Sequence, residues 1–348
     1  MSSLESSWVS LNEATFGLSV LFALVAFVQL IITASYGFSK SLYRGFPVGQ
    51  DSEREAGPES EGHSQHRRTL SILMVLSLLF ITVSFTFKAT SYVSGFNDAI
   101  PLWADLSLYT KEIATELLLA GLHAFLAYRS VAVEQWRTNS RGSEPGAYGA
   151  QKSGRSSMVF SVVVVLVMFS ATVCRIVLTA VNAGTVTTIR ALVFFIAFQL
   201  YMLGLIILTI HFVVLAVSAW KRRDISFFEP LDLSSGNITF DPNFVSATRE
   251  PATCFDSMIT VQTLRSMVYY VSPALCILTA FEIIWDILSV LYSGRFNWEL
   301  ILASTVVEGI ILLFIVAVTV KAGIMPRNTS YLSDFTFSNL AYATALPM

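Results

Sequence analysis

YYVSPALCILTAFEIIWDILSVLY, residues 269–292, is an apolar run long enough to cross a membrane, and it carries two acids one helical turn apart, Glu282 and Asp286. A carboxylate in hydrocarbon is costly, so it is kept only where it faces protein, lines a cavity or does chemical work. On a helix, Thr279, Glu282, Asp286, Ser289 and Ser293 step at three- and four-residue intervals into one polar stripe, while Ile283, Ile284, Ile287 and Leu288 point elsewhere. That stripe must face other helices.

The rest of the chain supplies them. Of 348 residues, 54% are apolar and 13% charged, a composition outside the range of ordinary water-soluble domains. Crossing about 30 Å of hydrocarbon takes roughly 20 helical residues, and the apolar runs predict spans over 14–37, 69–93, 106–132, 157–182, 190–219, 267–292 and 298–321. The expected fold is therefore all-α: one membrane domain over 1–348, a bundle of seven transmembrane helices. The first run has acids and no Lys or Arg before it, so it reads as a retained span and not a cleaved leader.

The basic residues orient the bundle. Lys40, Arg44, Arg54, Arg67 and Arg68 follow the first run, Arg137, Arg141, Lys152 and Arg155 the third, and Lys221, Arg222, Arg223, Arg249 and Arg265 the fifth. The other links are marked only by Arg190 and Arg295. By the positive-inside rule the N-terminus lies outside or in the lumen, 38–68, 133–156 and 220–266 are cytoplasmic loops, and 322–348 is a cytoplasmic tail. Residues 51–66, rich in Ser, Glu, Gly and Pro, are expected to form a mobile loop. Asn237-Ile-Thr and Asn328-Thr-Ser match the glycosylation pattern, but on the cytoplasmic side they should stay unmodified.

Charged residues within the runs mark the candidate site. Counted inward at ~1.5 Å per residue, Glu112 and Glu116 lie roughly 9–15 Å deep, Glu282 and Asp286 about as deep, and Glu308 about 15 Å. Lys88 and Arg175 fall in the same outer half, with Lys111 nearer the surface. Polar companions accompany them at helical spacing: Ser84 and Ser91 with Lys88, Thr172, Thr179 and Asn182 with Arg175, Ser304 and Thr305 with Glu308. Polar stripes from several helices thus converge on one layer, as a common cavity would require. Internal ion pairs that fix helix register are the competing reading of any one of these residues. Five acids meet three bases, however, and an unpaired carboxyl in low dielectric holds its proton. A neutral buried acid is a proton donor in waiting. Trp285, between the two acids of the sixth run, could present its ring to a cation. His123 and His211, towards the cytoplasmic ends of their runs, read as packing residues.

No phosphate loop, nucleophile elbow, metal-ligand cluster or dinucleotide fingerprint occurs, so neither cofactor nor metal is expected. Cys174, Cys254 and Cys276 form no spaced pattern. The expected partners are the lipid bilayer and a lipophilic small molecule, with no nucleic acid.

In being nearly all membrane helix, without a soluble domain, and in carrying intramembrane Glu and Asp, the chain resembles the integral-membrane terpene cyclases of fungal meroterpenoid pathways. The resemblance implies an isomerase in which a neutral acid protonates an epoxide or alkene of a farnesyl-type chain and the carbocation then cyclises. Glu282, Asp286, Glu116 and Glu308 would be the catalytic candidates, and Glu112, Lys88, Arg175 and Trp285 would line the pocket. The alternative is a divergent seven-transmembrane receptor of the G-protein-coupled type. The end of the third run, Ala127-Tyr128-Arg129-Ser130-Val131-Ala132-Val133, resembles the Asp-Arg-Tyr region of those receptors. Asn-Pro-x-x-Tyr is missing from the seventh run and Cys-Trp-x-Pro from the sixth. A proton-coupled transporter is the third reading. An enzyme would be expected in the endoplasmic reticulum and a receptor in the plasma membrane.

Overall fold

The computed structural model describes residues 2–38, 58–92, 100–140, 147–180, 188–227, 262–291 and 298–324. Among them all regular structure is helical: α1 (Ser2–Phe38), α2 (Pro58–Thr90), α3 (Ile100–Ser140), α4 (Ala147–Ala180), α5 (Thr188–Phe227), α6 (Ser272–Leu291) and α7 (Trp298–Gly323). A π segment, Met267–Val271, leads into α6. Six helices are long and apolar enough to cross a membrane, over Asn12–Phe38, Arg68–Thr90, Ser156–Ala180, Thr188–Lys221, Gln262–Trp285 and Ile301–Gly323. The chain is thus a multi-pass helical membrane protein.

Its outer surface is apolar, unlike that of a water-soluble fold, and its interior mixes apolar with polar side chains. Leu24, Leu166 and Ile210 lie on the outer surface, whereas Thr33, Ser71, Ser77, Thr172 and Thr319 are wholly buried. Lipid tails are as apolar as leucine, so helices here associate through close packing and interhelical hydrogen bonds and gain little from burying hydrocarbon. Ser84 and Ser107 show this between α2 and α3, where each hydroxyl donates to the other's backbone carbonyl, at 2.7 and 2.9 Å. Ser77 donates to the Ala114 carbonyl at 2.8 Å. Small residues let backbones approach: a Cβ on Gly309 of α7 would stand 2.7 Å from the Phe22 ring of α1.

Each helix packs on the next, and α7 returns to α1 to close a ring. The α3 helix also touches α5 and α7, and Leu118, Leu119, Leu122 and Leu126 are fully buried on one face of it. Its charges, Lys111, Glu112 and Glu116, keep it out of the set of six apolar helices, and it is buried on most of its surface.

The α6 helix shows why its sequence needs a local irregularity. Pro273 has no N–H and its ring would clash with a carbonyl of the preceding turn. The chain widens there into a π turn, in which both the backbone N–H and the hydroxyl of Ser272 donate to the Met267 carbonyl, the latter at 2.9 Å. Beyond it, Thr279 and Glu282 are buried while Ile284 and Ile287 face outward, as the stripe requires.

Two expectations change. Residues 51–66 were expected to be a loop, yet α2 begins at Pro58. Proline at a first helical position, followed by Glu59 and Glu61, suits a helix start, and composition alone hides this. The 133–156 link is likewise shortened by α3 running to Ser140 and α4 starting at Ala147. Residues 228–261, the Asn237 and Asn328 sites, Ser293, Asn182 and Cys254 lie outside the described residues.

Candidate functional site

The buried charges of five helices meet in one layer. Towards α6 and α7, the Lys111 ammonium of α3 lies 3.0 Å from Glu282 Oε1 and 3.1 Å from Glu308 Oε1. Lys88 of α2 approaches Glu308 Oε2 at 4.0 Å, the limit of an ion pair. Towards α4, Glu112 accepts from the Arg175 guanidinium at 2.6 Å. Three rings surround that guanidinium, Tyr109 of α3 and Phe194 and Phe198 of α5, with centroids at 5.3, 5.2 and 5.0 Å. The Tyr109 hydroxyl meets the Thr179 hydroxyl at 2.7 Å.

Helix geometry explains the division. Neighbouring residues project about 100° apart, so Lys111 serves α6 and α7 while Glu112 serves α4. Tyr109, Glu112 and Glu116 recur at three- and four-residue steps and share the α4 side. Burying such charges is tolerable because each cation has a carboxylate and further polar contacts. Lys88 and Lys111 balance Glu282 and Glu308, and Arg175 balances Glu112.

Glu116 is left over. It is buried to 1% exposure and accepts from the Thr172 hydroxyl at 2.9 Å through Oε1. The same hydroxyl lies 3.3 Å from Glu112 Oε2. Glu116 Oε2 has no hydrogen-bond partner among the described residues, and no cation pairs with it there. Beside Thr172, on the outward side of α4, Ala171 and Cys174 join Leu166, Ile196 and Leu200 in an apolar groove of about 490 Å³ between α4 and α5.

The candidates from sequence separate accordingly. Glu112, Glu116, Glu282, Glu308, Lys88 and Arg175 come together in the interior. Ion pairing holds Glu282 and Glu308, while Glu116 stands apart from the cations. Asp286 lies on α6 with its side chain outside the described residues, as does Arg129 on α3. Trp285 stacks on Phe281, ring centroids 6.4 Å apart.

Lys111 corrects the sequence reading, which put it near the surface: its side chain is 12% exposed and ties three helices together. Depth counted along the axis ignores the reach of a four-carbon stem, and the direction of the face that α3 turns to α6 and α7 is not visible in one helix alone. Also missed were the aromatic box around Arg175 and the role of Thr172. A Tyr109–Glu112–Glu116 face opposite Thr172–Arg175–Thr179 was the available signal, once α3 and α4 are known to be neighbours. Family models, curated proteins and solved structures yield no match to the chain.

Proposed function

We propose that the protein is a membrane-embedded isomerase that protonates an epoxide or alkene of a lipophilic isoprenoid and cyclises the resulting cation, with Glu116 as the acid. The observation that supports this is the carboxyl left over after the buried cations among the described residues have been matched: with none of them beside it, a carboxyl at this depth holds a proton. Thr172 orients it by donating to Oε1, which leaves Oε2 to carry the transferable hydrogen. Protonation of an epoxide oxygen by Glu116 breaks a C–O bond. The chain's double bonds then attack the carbon cation in turn, and loss of a proton from the last cation gives an isomer of the substrate. The apolar groove between α4 and α5 supplies a seat for the isoprenoid tail on the lipid side of Thr172.

In this reading α3 is the seventh span, the N-terminus faces the lumen, and the protein resides in the endoplasmic reticulum. The test is conversion of an epoxyfarnesyl-substituted aromatic acid by microsomes holding the full chain, followed by mass spectrometry and NMR of isomeric products. Glu116→Gln should abolish the cyclic product at unchanged protein level; undiminished product in that variant removes the mechanism.

A second reading follows from a different observation, the single ammonium of Lys111 between α6 and α7. Such a clamp is the kind of interhelical contact that a seven-helix receptor would release on activation. In that case Lys111→Met should raise basal G-protein activation at the plasma membrane.

A further inference from the structure

Two turns along α3 from Glu116, on the side that faces α4 and α5, lies a second protonatable pair. His123 of α3 is buried to 2% and stacks on His211 of α5, with ring centroids 5.4 Å apart and planes within 10° of parallel. His123 Nδ1 is 2.8 Å from the Leu119 carbonyl, which makes Nδ1 the protonated nitrogen and leaves a lone pair on Nε2. That Nε2 is buried without a hydrogen-bond partner among the described residues. The ring also lies near the Leu208 carbonyl of α5, so an imidazolium would find acceptors on two helices. His211 is half-buried and reaches the hydroxyls of Ser157 and Ser161 on α4, each at 3.3 Å. Among the described residues, His211 is the titratable group that acts on His123, and Glu112 acts on Glu116.

A packing role explains little of this. Two imidazoles packed between helices of a lipid-exposed bundle place polar nitrogens where a leucine or phenylalanine would fill the same space without cost. Histidines in such positions, with an open nitrogen and a route to the surface, suit proton carriage.

We propose that His211 and His123 relay protons to Glu116 from the end of the bundle where Ser157 lies. The inference rests on the reading of Glu116 as the proton-donating acid, because an acid that gives its proton to one end of a polyene must be reloaded when the product's proton departs from another carbon. In the relay, His211 takes a proton from water and, once its ring turns away from Ser157 and Ser161, passes it to His123 Nε2, which gives an imidazolium whose Nδ1–H stays on Leu119. The Nε2 proton then crosses about 10 Å, the rise of seven helical residues, to the Glu116 carboxylate, and transient opening of the packing around Leu119, Leu122 and Leu205 admits the water that carries it. One proton moves at each step and both histidines end neutral.

The test uses the full chain in lipid nanodiscs and follows the carbonyl stretch of protonated Glu116 by time-resolved infrared difference spectroscopy after a drop in pH. Absence of the band in Glu116→Gln assigns it. His123→Leu and His211→Leu should each slow the appearance of the band by about tenfold or more. Free imidazole should restore the rate in His211→Leu, where the site is half-open, and not in His123→Leu. His123→Gln serves if the leucine variant fails to insert. Wild-type rates in both histidine variants overturn the relay and leave the acid standing. A wild-type protein whose Glu116 shows no protonated carboxyl band at any pH overturns both.

Discussion

Lys111 Nζ stands 3.0 Å from Glu282 Oε1, and since Glu308 lies at 3.1 Å from the same ammonium, one side chain fastens α3 to α6 and α7 together. Removing it takes the ammonium away from two buried carboxylates and leaves Lys88 4.0 Å from Glu308. Lys111→Met should therefore destabilise the bundle by about 3–5 kcal/mol. The combined change of Lys111→Met with Glu282→Gln and Glu308→Gln should recover most of that, read as unfolding midpoints in mild detergent. Equal instability of the single and triple variants would argue against the ion pair.

Glu112 and Glu116 sit one turn apart and should respond in opposite ways. Glu112→Gln strands the Arg175 guanidinium in the interior and is expected to cost about 3–5 kcal/mol. Glu116→Gln keeps the Thr172 hydrogen bond and removes no ion pair, so its effect on stability should stay within about 1 kcal/mol. Thermal unfolding of the two variants side by side decides, and it does so without any substrate.

Arg175→Lys is not a conservative change here. A lysine ammonium is a compact charge that cannot spread its plane across Tyr109, Phe194 and Phe198 while reaching Glu112. A loss of about 1–2 kcal/mol is expected. If Phe194→Leu and Phe198→Leu cost as much in the lysine background as in the wild type, the rings contribute packing alone.

Gly309 is required by close approach. Its Cα faces the Phe22 ring, which itself packs on Phe85 with centroids 5.3 Å apart. Gly309→Ala should push that ring pair aside and cost about 1–3 kcal/mol. Phe22→Leu in the same chain should relieve part of the loss, measured as recovery of the unfolding midpoint.

The proposed orientation predicts that Asn237 and Asn328 remain unmodified after expression in a eukaryotic secretory pathway. Endoglycosidase treatment should leave the gel mobility of the wild-type chain unchanged. A glycan at either position reverses the placement of Lys and Arg on the cytoplasmic side.

Much of the bundle was legible in the sequence because hydrophobic runs and acid spacing depend on one helix at a time. The stripe of Thr279 and Glu282 points inward, and Ser84, Lys88, Thr172, Arg175 and Glu308 share its layer. Which charges satisfy which could not be read in that way. Pairing depends on the rotation of α3 relative to α4, α6 and α7, and only packing sets that rotation. Sequence therefore left Glu282, Asp286 and Glu116 all open as the acid, whereas among the described residues the buried carboxyl without a cation is Glu116. Lys111 was misplaced for the same reason, because its depth was counted along the axis and its reach across the bundle was not. The start of α2 at Pro58 was hidden by a polar composition that looks like a linker.

The split of Lys111 and Glu112 towards different neighbours also constrains how this gene can vary in length. Inserting or deleting one codon between Tyr109 and Glu116 would turn everything beyond it by about 100°, carrying acidic side chains out of reach of Arg175 and into hydrocarbon. A gained heptad would restore the facing but slide Glu116 about 10 Å along the axis from Thr172, so in an indel scan this segment should accept no change of length, even where individual leucines and alanines can be exchanged freely.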